Sequence, residues 1–440
     1  MRFFAAPLLA IAIAAATVHA ETLQYPEAPK KPVTDTYHGI EVAEDYRWLE
    51  DGKDPAVRKW SLDQLAVTRA YLDALPSRAR LQERFATLYR GATVRYYNFA
   101  QTRAFFALKR QPPRSQPLLV MMKSAGDIAS EKVLLDPLAL DAKGTTAIDW
   151  FAPSLDGRYV AVAISQGGSE DGSAHVIDTA TGKPLPDIVP RVQYPTGGGS
   201  IAWDARSAGF FYTRYPQGSE RAREDANFYQ QVWYHRLGTP ASNDTYEVGK
   251  DFPRIAETAL TSTRDGRYLL AAVRNGDGGE VAFHLRDAAG RWTKVADFAD
   301  RVKRMELGPD GKLYAISVKG APHGRIIAMP LAKPELASAK TIVPTGADVI
   351  QSLAPTASRL YVTYMAGGPS EVRIFDLAGK GLGKLPSGPV SRNGVSERLE
   401  GDEVLVGSES YLFELAWYRY APRDGKLRRD LAQPIGAPLT

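Results

Sequence analysis

From about residue 91 onward the chain alternates short polar turns with short apolar runs, and the alternation has a long period. The clearest unit runs from Asp149 to Ile164. Ser154-Leu155-Asp156-Gly157 reads as a turn, because Asp-Gly tolerates the positive φ that a right-twisted hairpin requires. Tyr159-Val160-Ala161-Val162-Ala163-Ile164 then reads as a buried strand. Related turn-then-strand units have markers at residues 102, 156, 206, 265, 310, 357 and 401, spaced by 54, 50, 59, 45, 47 and 44 residues. Each interval holds four short strands. A lone four-stranded sheet of that size cannot bury both faces, but sheets stacked radially cover one another. The fold class is therefore all-β: a seven-bladed β-propeller. A sandwich would give turn signals every ~8–12 residues without self-similarity at the longer period.

Before residue 91 the pattern differs. Glu21 to Val42 is rich in proline and polar residues and predicts an extended strap. Asp54 then caps a helix with Pro55 at its first position. Val57, Trp60, Leu65, Val67, Tyr71, Leu72 and Leu75 give that helix a broad apolar face, and Pro76-Ser77 ends it. A second helix is predicted from Arg78 to Tyr89, with Leu81, Phe85 and Leu88 at helical spacing. The propeller thus carries a short N-terminal helical extension.

Composition adds a compartment. Arg2, the apolar run Phe3 to Val18, and Val18-His19-Ala20 fit a secretory leader with its cleavage site. The run is about 16 residues, shorter than the roughly 20 of a spanning helix. The expected organisation is a signal peptide at 1–20, strap and helices at 21–90 and the propeller at 91–440. After cleavage no membrane association is expected. Export with zero cysteines suits a periplasmic or secreted protein. The net charge of +5 is spread over 55 basic and 50 acidic residues, without the basic block that marks nucleic-acid binding.

Little in the chain reads as chemistry. A nucleophile elbow needs Gly-x-Ser-x-Gly, and Ser165, Ser200 and Ser207 each have one glycine and one alanine instead. Outside the leader the histidines are His38, His175, His235, His284 and His323, and none is marked by its neighbours as a base. Gly197-Gly198-Gly199-Ser200-Ile201-Ala202 matches a dinucleotide fingerprint on paper, but Pro195 precedes it and a strand follows, so a loop is expected. Glu170-Asp171 and Glu224-Asp225 are acidic pairs best read as solvated loops. No catalytic residue, metal site or cofactor is expected.

The chain resembles the N-terminal half of the prolyl oligopeptidase (prolyl endopeptidase) family of serine peptidases. The resemblance lies in Tyr25-Pro26, Asp35, His38-Gly39, Val42, and Tyr46-Arg47-Trp48-Leu49-Glu50-Asp51. It continues through Leu135-Asp136-Pro137, Asp149 to Ile164, Gly167 to Asp171, Phe210 to Pro216 and Tyr234 to Pro240. Glu44-Asp45 departs from the family's usual Asp-Pro. The resemblance implies a propeller that gates an α/β-hydrolase domain, which cleaves short proline-containing peptides after proline. It implies one substrate-binding residue, Tyr194 in Arg191-Val192-Gln193-Tyr194, as an aromatic wall for the peptide. Trp417-Tyr418-Arg419-Tyr420 and Asp424-Gly425-Lys426 resemble the family's last blade, so the serine, aspartate and histidine would lie outside this chain. The expectation is a truncated or split product, inactive alone, whose partner is a hydrolase domain. Its strap and helices, with exposed aromatics such as Trp48 and Trp60, would leave an apolar patch. The alternatives are a stand-alone propeller binding peptides or a partner protein, and a propeller enzyme with a metal in its tunnel.

Overall fold

The computed structural model describes residues 23–90, 93–195, 197–388 and 390–431. The expected leader at 1–20 lies outside the described residues. The chain divides into two compact units, Met1–Gly91 and Ala92–Thr440.

In the first unit the strap contains a hairpin that its proline content concealed. Strands Val33–Tyr37 and Ile40–Glu44 pair antiparallel with Tyr37 opposite Ile40. The two-residue turn is His38 (φ 51°) and Gly39 (φ 81°), both left-handed as a type I′ turn requires. Trp48 is half-buried rather than exposed, since its Nε1 donates to the Pro29 carbonyl (2.9 Å) and the Lys31 ammonium lies 4.5 Å from its ring centre. Trp60 is also half-buried. Helix α1 (Pro55–Asp73) starts where expected, with the Asp54 carboxylate accepting from Ala56 N at 2.8 Å. Helix α2 spans Arg78–Arg90. Only Val57 of α1 is buried, whereas Leu62, Leu65, Tyr71 and Leu72 of α1 and Leu81 and Phe85 of α2 are exposed. An apolar surface of this extent is unusual for a free face.

Among its described residues the second unit forms seven four-stranded antiparallel meanders, at 95–135, 146–193, 201–248, 256–296, 302–343, 349–384 and 392–429, here blades 1 to 7. Every sequence marker falls between the first and second strand of a blade. The turn chemistry recurs: the Ser154 hydroxyl donates to Asp156 (2.7 Å) and that of Thr263 to Asp265 (2.6 Å). Gly157 and Gly266 take positive φ (70° and 66°), and in blade 3 Ser207 takes it instead (53°).

Seven separate apolar layers fill the interfaces, one between each pair of neighbouring blades. Second strands are the most deeply buried, as with Val160 to Ala163 and Val404 to Val406. Among the described residues no strand is shared between blades 1 and 7. Side chains join them: Tyr96, Phe105 and Val120 pack on Leu405 and Trp417, whose Nε1 donates to the Tyr96 carbonyl at 2.8 Å. A meander puts its first and third turns at one end. Its second turn and the connector to the next blade lie at the other, and that end holds the candidate site.

Candidate functional site

Tyr194 follows the last strand of blade 2 (Pro184–Gln193) in the connector to blade 3. Its backbone and that of Gly198 bond reciprocally: Gly198 N donates to Tyr194 O (2.8 Å) and Tyr194 N to Gly198 O (3.2 Å). The glycine run is what permits this closure. A Cβ on Gly197 would overlap the Tyr215 hydroxyl, and one on Gly199 the Val192 carbonyl. The first strand of blade 3 (Ile201–Trp203) follows, so the run is a tight connector without the helix a dinucleotide site needs. Gly199→Ala should displace the Tyr194 loop and cost roughly 1–3 kcal/mol of stability, measurable by urea unfolding.

Two side chains pack against the Tyr194 ring. Tyr215, just after the second strand of blade 3, stands edge-on at 5.3 Å between ring centres. The Arg191 guanidinium lies 4.9 Å from the ring centre. Arg191 is itself left-handed (φ 54°), a conformation unusual for a long side chain. It is held by Asn227 Oδ1 (2.8 Å) from blade 3 and by Asp171 Oδ1 (3.4 Å) from blade 2. Behind the loop, fully buried Gln230 donates to Gly197 O (3.3 Å) and accepts from Thr258 N (2.7 Å), tying blade 3 to blade 4.

The charged insert at 217–227 is anchored by stacked arginines. Arg214 lies 3.6 Å from the Trp233 ring centre and pairs with Glu220 (2.8 Å). Arg254 lies 3.6 Å from that of Phe228 and pairs with Asp225 (2.9 Å). Tyr194 therefore lies between the Tyr215 ring and the Arg191 guanidinium, an arrangement with a flat apolar face and a planar cation side by side. Sequence reasoning singled out Tyr194 but not Arg191, three residues before it, nor Tyr215 and Asn227, which come near through the stacking of blade 3 on blade 2.

The serines nearest to an elbow motif are occupied otherwise. The Ser165 hydroxyl donates to Asp149 Oδ1 (2.7 Å), Ser200 Oγ accepts from Leu260 N (2.9 Å), and Ser207 forms a turn. Burial raises the Asp149 carboxyl above its ordinary value, against the Ser165 hydrogen bond, and the Glu170 charge adds to the rise. His175 and His284 are lowered by burial. His323 Nδ1 lies 2.8 Å from the Gly346 carbonyl, and His38 is in the hairpin turn.

His235 is fully buried between two carboxylates, with Nδ1 at 2.7 Å from Asp244 Oδ1 and Nε2 at 3.2 Å from Asp187 Oδ1. Asp187 also accepts from Gly238 N (2.5 Å) and Asp244 from the Tyr212 hydroxyl (2.8 Å). Burial lowers the imidazole, but the hydrogen bonds and charges of Asp244 and Asp187 outweigh it, so the net shift is upward. This cluster joins blades 2 and 3. Among the described residues no group of three His, Asp or Glu side chains is placed to hold a metal ion.

The chain matches the family described as "Prolyl oligopeptidase, N-terminal beta-propeller domain" over residues 25–429. A prolyl endopeptidase of Elizabethkingia meningoseptica is 28% identical over 382 residues, covering 84% of this chain and 52% of the relative. Prolyl oligopeptidase A of Galerina marginata is 27% identical over 423 residues, covering 87% of this chain and 56% of the relative. A solved prolyl endopeptidase, from work on inter-domain dynamics in catalysis and specificity, superposes with a TM-score of 0.84 at 26% identity. That match covers 94% of this chain and 60% of the solved one. The chain therefore spans about half the length of the curated relatives it matches.

Proposed function

Because the chain belongs to the prolyl oligopeptidase family, as its N-terminal β-propeller domain, we propose that it is the substrate gate of a serine endopeptidase that cleaves short peptides after proline. The observation that carries this reading is the family match across the strap and all seven blades. The hydrolytic step needs a serine nucleophile, a histidine base and an acid, supplied by an α/β-hydrolase domain as partner. No Gly-x-Ser-x-Gly occurs among the 440 residues, and peptide hydrolysis is assigned to that domain. The propeller restricts access to peptides short enough to reach the site.

On this reading the exposed apolar side chains of α1 and α2 pack on the hydrolase domain. Burying one Leu or Phe side chain contributes about 1.5–3 kcal/mol. Sedimentation of the chain with a separately produced hydrolase domain of a prolyl endopeptidase tests the partnership. A complex is expected, and Leu81→Glu/Phe85→Glu should weaken it. Absence of association would count against the reading.

Tyr194 is proposed as the aromatic wall for the peptide. An aromatic contact contributes ~0.5–1.5 kcal/mol beyond area, so in the assembled peptidase Tyr194→Ala should raise KM up to about tenfold. Export to the periplasm or outside the cell belongs to the same proposal. Mass spectrometry of the purified protein should find Glu21 as its first residue.

A further inference from the structure

Blades 4 and 7 are three steps apart, the largest separation a seven-membered ring allows. One side chain nevertheless spans them. Arg264, in the first turn of blade 4, directs Nη2 to the carbonyls of Arg398 and Leu399 in blade 7, both at 2.9 Å. Arg398 in turn directs Nη1 to the carbonyls of Leu307 in blade 5 (3.4 Å) and Pro355 in blade 6 (3.3 Å). The ends of four first strands thus meet within the reach of two guanidiniums, which places first strands at the axis and fourth strands at the rim. Arg264 is also the wall common to two cavities of about 330 and 460 Å³, one bounded by blades 4 to 7 and the other by blades 1, 4 and 7.

We propose that Arg264 is a cross-axis clasp that, through Arg398, holds blade 7 in the ring. Because blades 1 and 7 share no strand among the described residues, blade 7 is held by its apolar layer and backbone hydrogen bonds with blade 6 and by two further sets of side-chain contacts. One set is the seam with blade 1, made by Trp417 and by the exposed Arg95–Glu414 pair at 2.7 Å. The other is the axial set, which joins blade 7 to three blades at once. Arginine suits the task because its planar fork can serve several carbonyls while remaining charged. Burial raises the Glu397 carboxyl to about 7, against the two like charges beside it. It lies in the field of Arg398 and Arg264 and faces the backbone N–H groups of Arg398 and, in blade 1, Gln101. Burial and the positive charge of Arg398 lower Arg264, whereas the charges of Glu397 and Glu400 oppose that fall.

The test is hydrogen exchange on the full 440-residue chain, read by peptide mass, for the wild type, Arg264→Ala and Arg264→Lys. Losing charge-assisted hydrogen bonds should speed exchange about tenfold in the first strands of blades 7 (Arg392–Arg398) and 1 (Arg95–Gln101), leaving blades 2 and 3 unchanged. Arg264→Lys should fall between the two, since a point charge cannot reproduce the fork. Faster exchange confined to the blade 4 turn, or no change, would overturn the proposal. Should Arg264→Ala fail to fold, wild-type exchange at sub-denaturing urea decides: blades 7 and 1 should open together before the others. Equal protection in all seven blades would be the contrary result.

Discussion

His235→Ala is expected to destabilise the propeller by about 3–5 kcal/mol in urea unfolding, because it leaves Asp187 and Asp244 buried without the imidazole that bridges them. The histidine itself is 0% exposed, so water cannot take its place without opening the interface of blades 2 and 3. Adding Asp187→Asn to His235→Ala should recover part of the loss, since one uncompensated charge is removed. The cluster also gives stability a pH dependence. The folded-state pKa of His235 lies above its ordinary value of 6.5. Its contribution is therefore complete below about 6.5 and declines as pH rises through the folded value, where the imidazole loses its proton in both states. Unfolding free energy measured from pH 6 upward should fall more steeply in the wild type than in His235→Ala. Parallel curves would exclude a charged imidazole.

Trp417→Ala should cost a similar amount, roughly 3–5 kcal/mol for a large side chain removed from a packed layer. The ring is 7% exposed, stands edge-on to Phe99 at 4.7 Å, and fills the layer between blades 1 and 7 with Tyr96 and Leu405. Its removal also strands the Tyr96 carbonyl, adding about 1–3 kcal/mol if water is kept out. Trp417→Phe separates the two effects, restoring most of the volume but not the donor. A denaturation midpoint close to that of the wild type for Trp417→Ala would mean that the seam contributes little to ring closure.

Blades 2, 4 and 5 were legible because their first hairpins impose a local requirement. Positive φ after Asp156, Asp265 and Asp310 selects glycine, and the apolar strand that follows is buried on both faces. Helix α1 was legible from Asp54-Pro55. The hairpin at 33–44 also had a local signal, the two-residue His38-Gly39 turn, but the surrounding prolines favoured reading an extended strap. Trp48 was misjudged because its partner, the Pro29 carbonyl, is a backbone group that composition does not mark.

The remaining features depend on closure of the ring. Tyr194 could be singled out only by resemblance. Arg191 precedes it by three residues, whereas Tyr215 and Asn227 lie on other segments whose sequence spacing from it is set by the fold of blade 3. Arg264 and the carbonyls it reaches are 134 and 135 residues apart, and no turn or strand pattern links them. Pairwise contacts across such spans appear only once seven sheets have been stacked.

Cleavage of a short chromogenic proline peptide by the purified chain, alone and with a separately produced hydrolase domain of a prolyl endopeptidase, tests the central claim most directly. No turnover is expected from the chain alone, and the mixture should cleave after proline and favour short peptides over long ones more strongly than the hydrolase domain by itself. Robust turnover by the chain alone, or a mixture indistinguishable from the hydrolase domain, would contradict it.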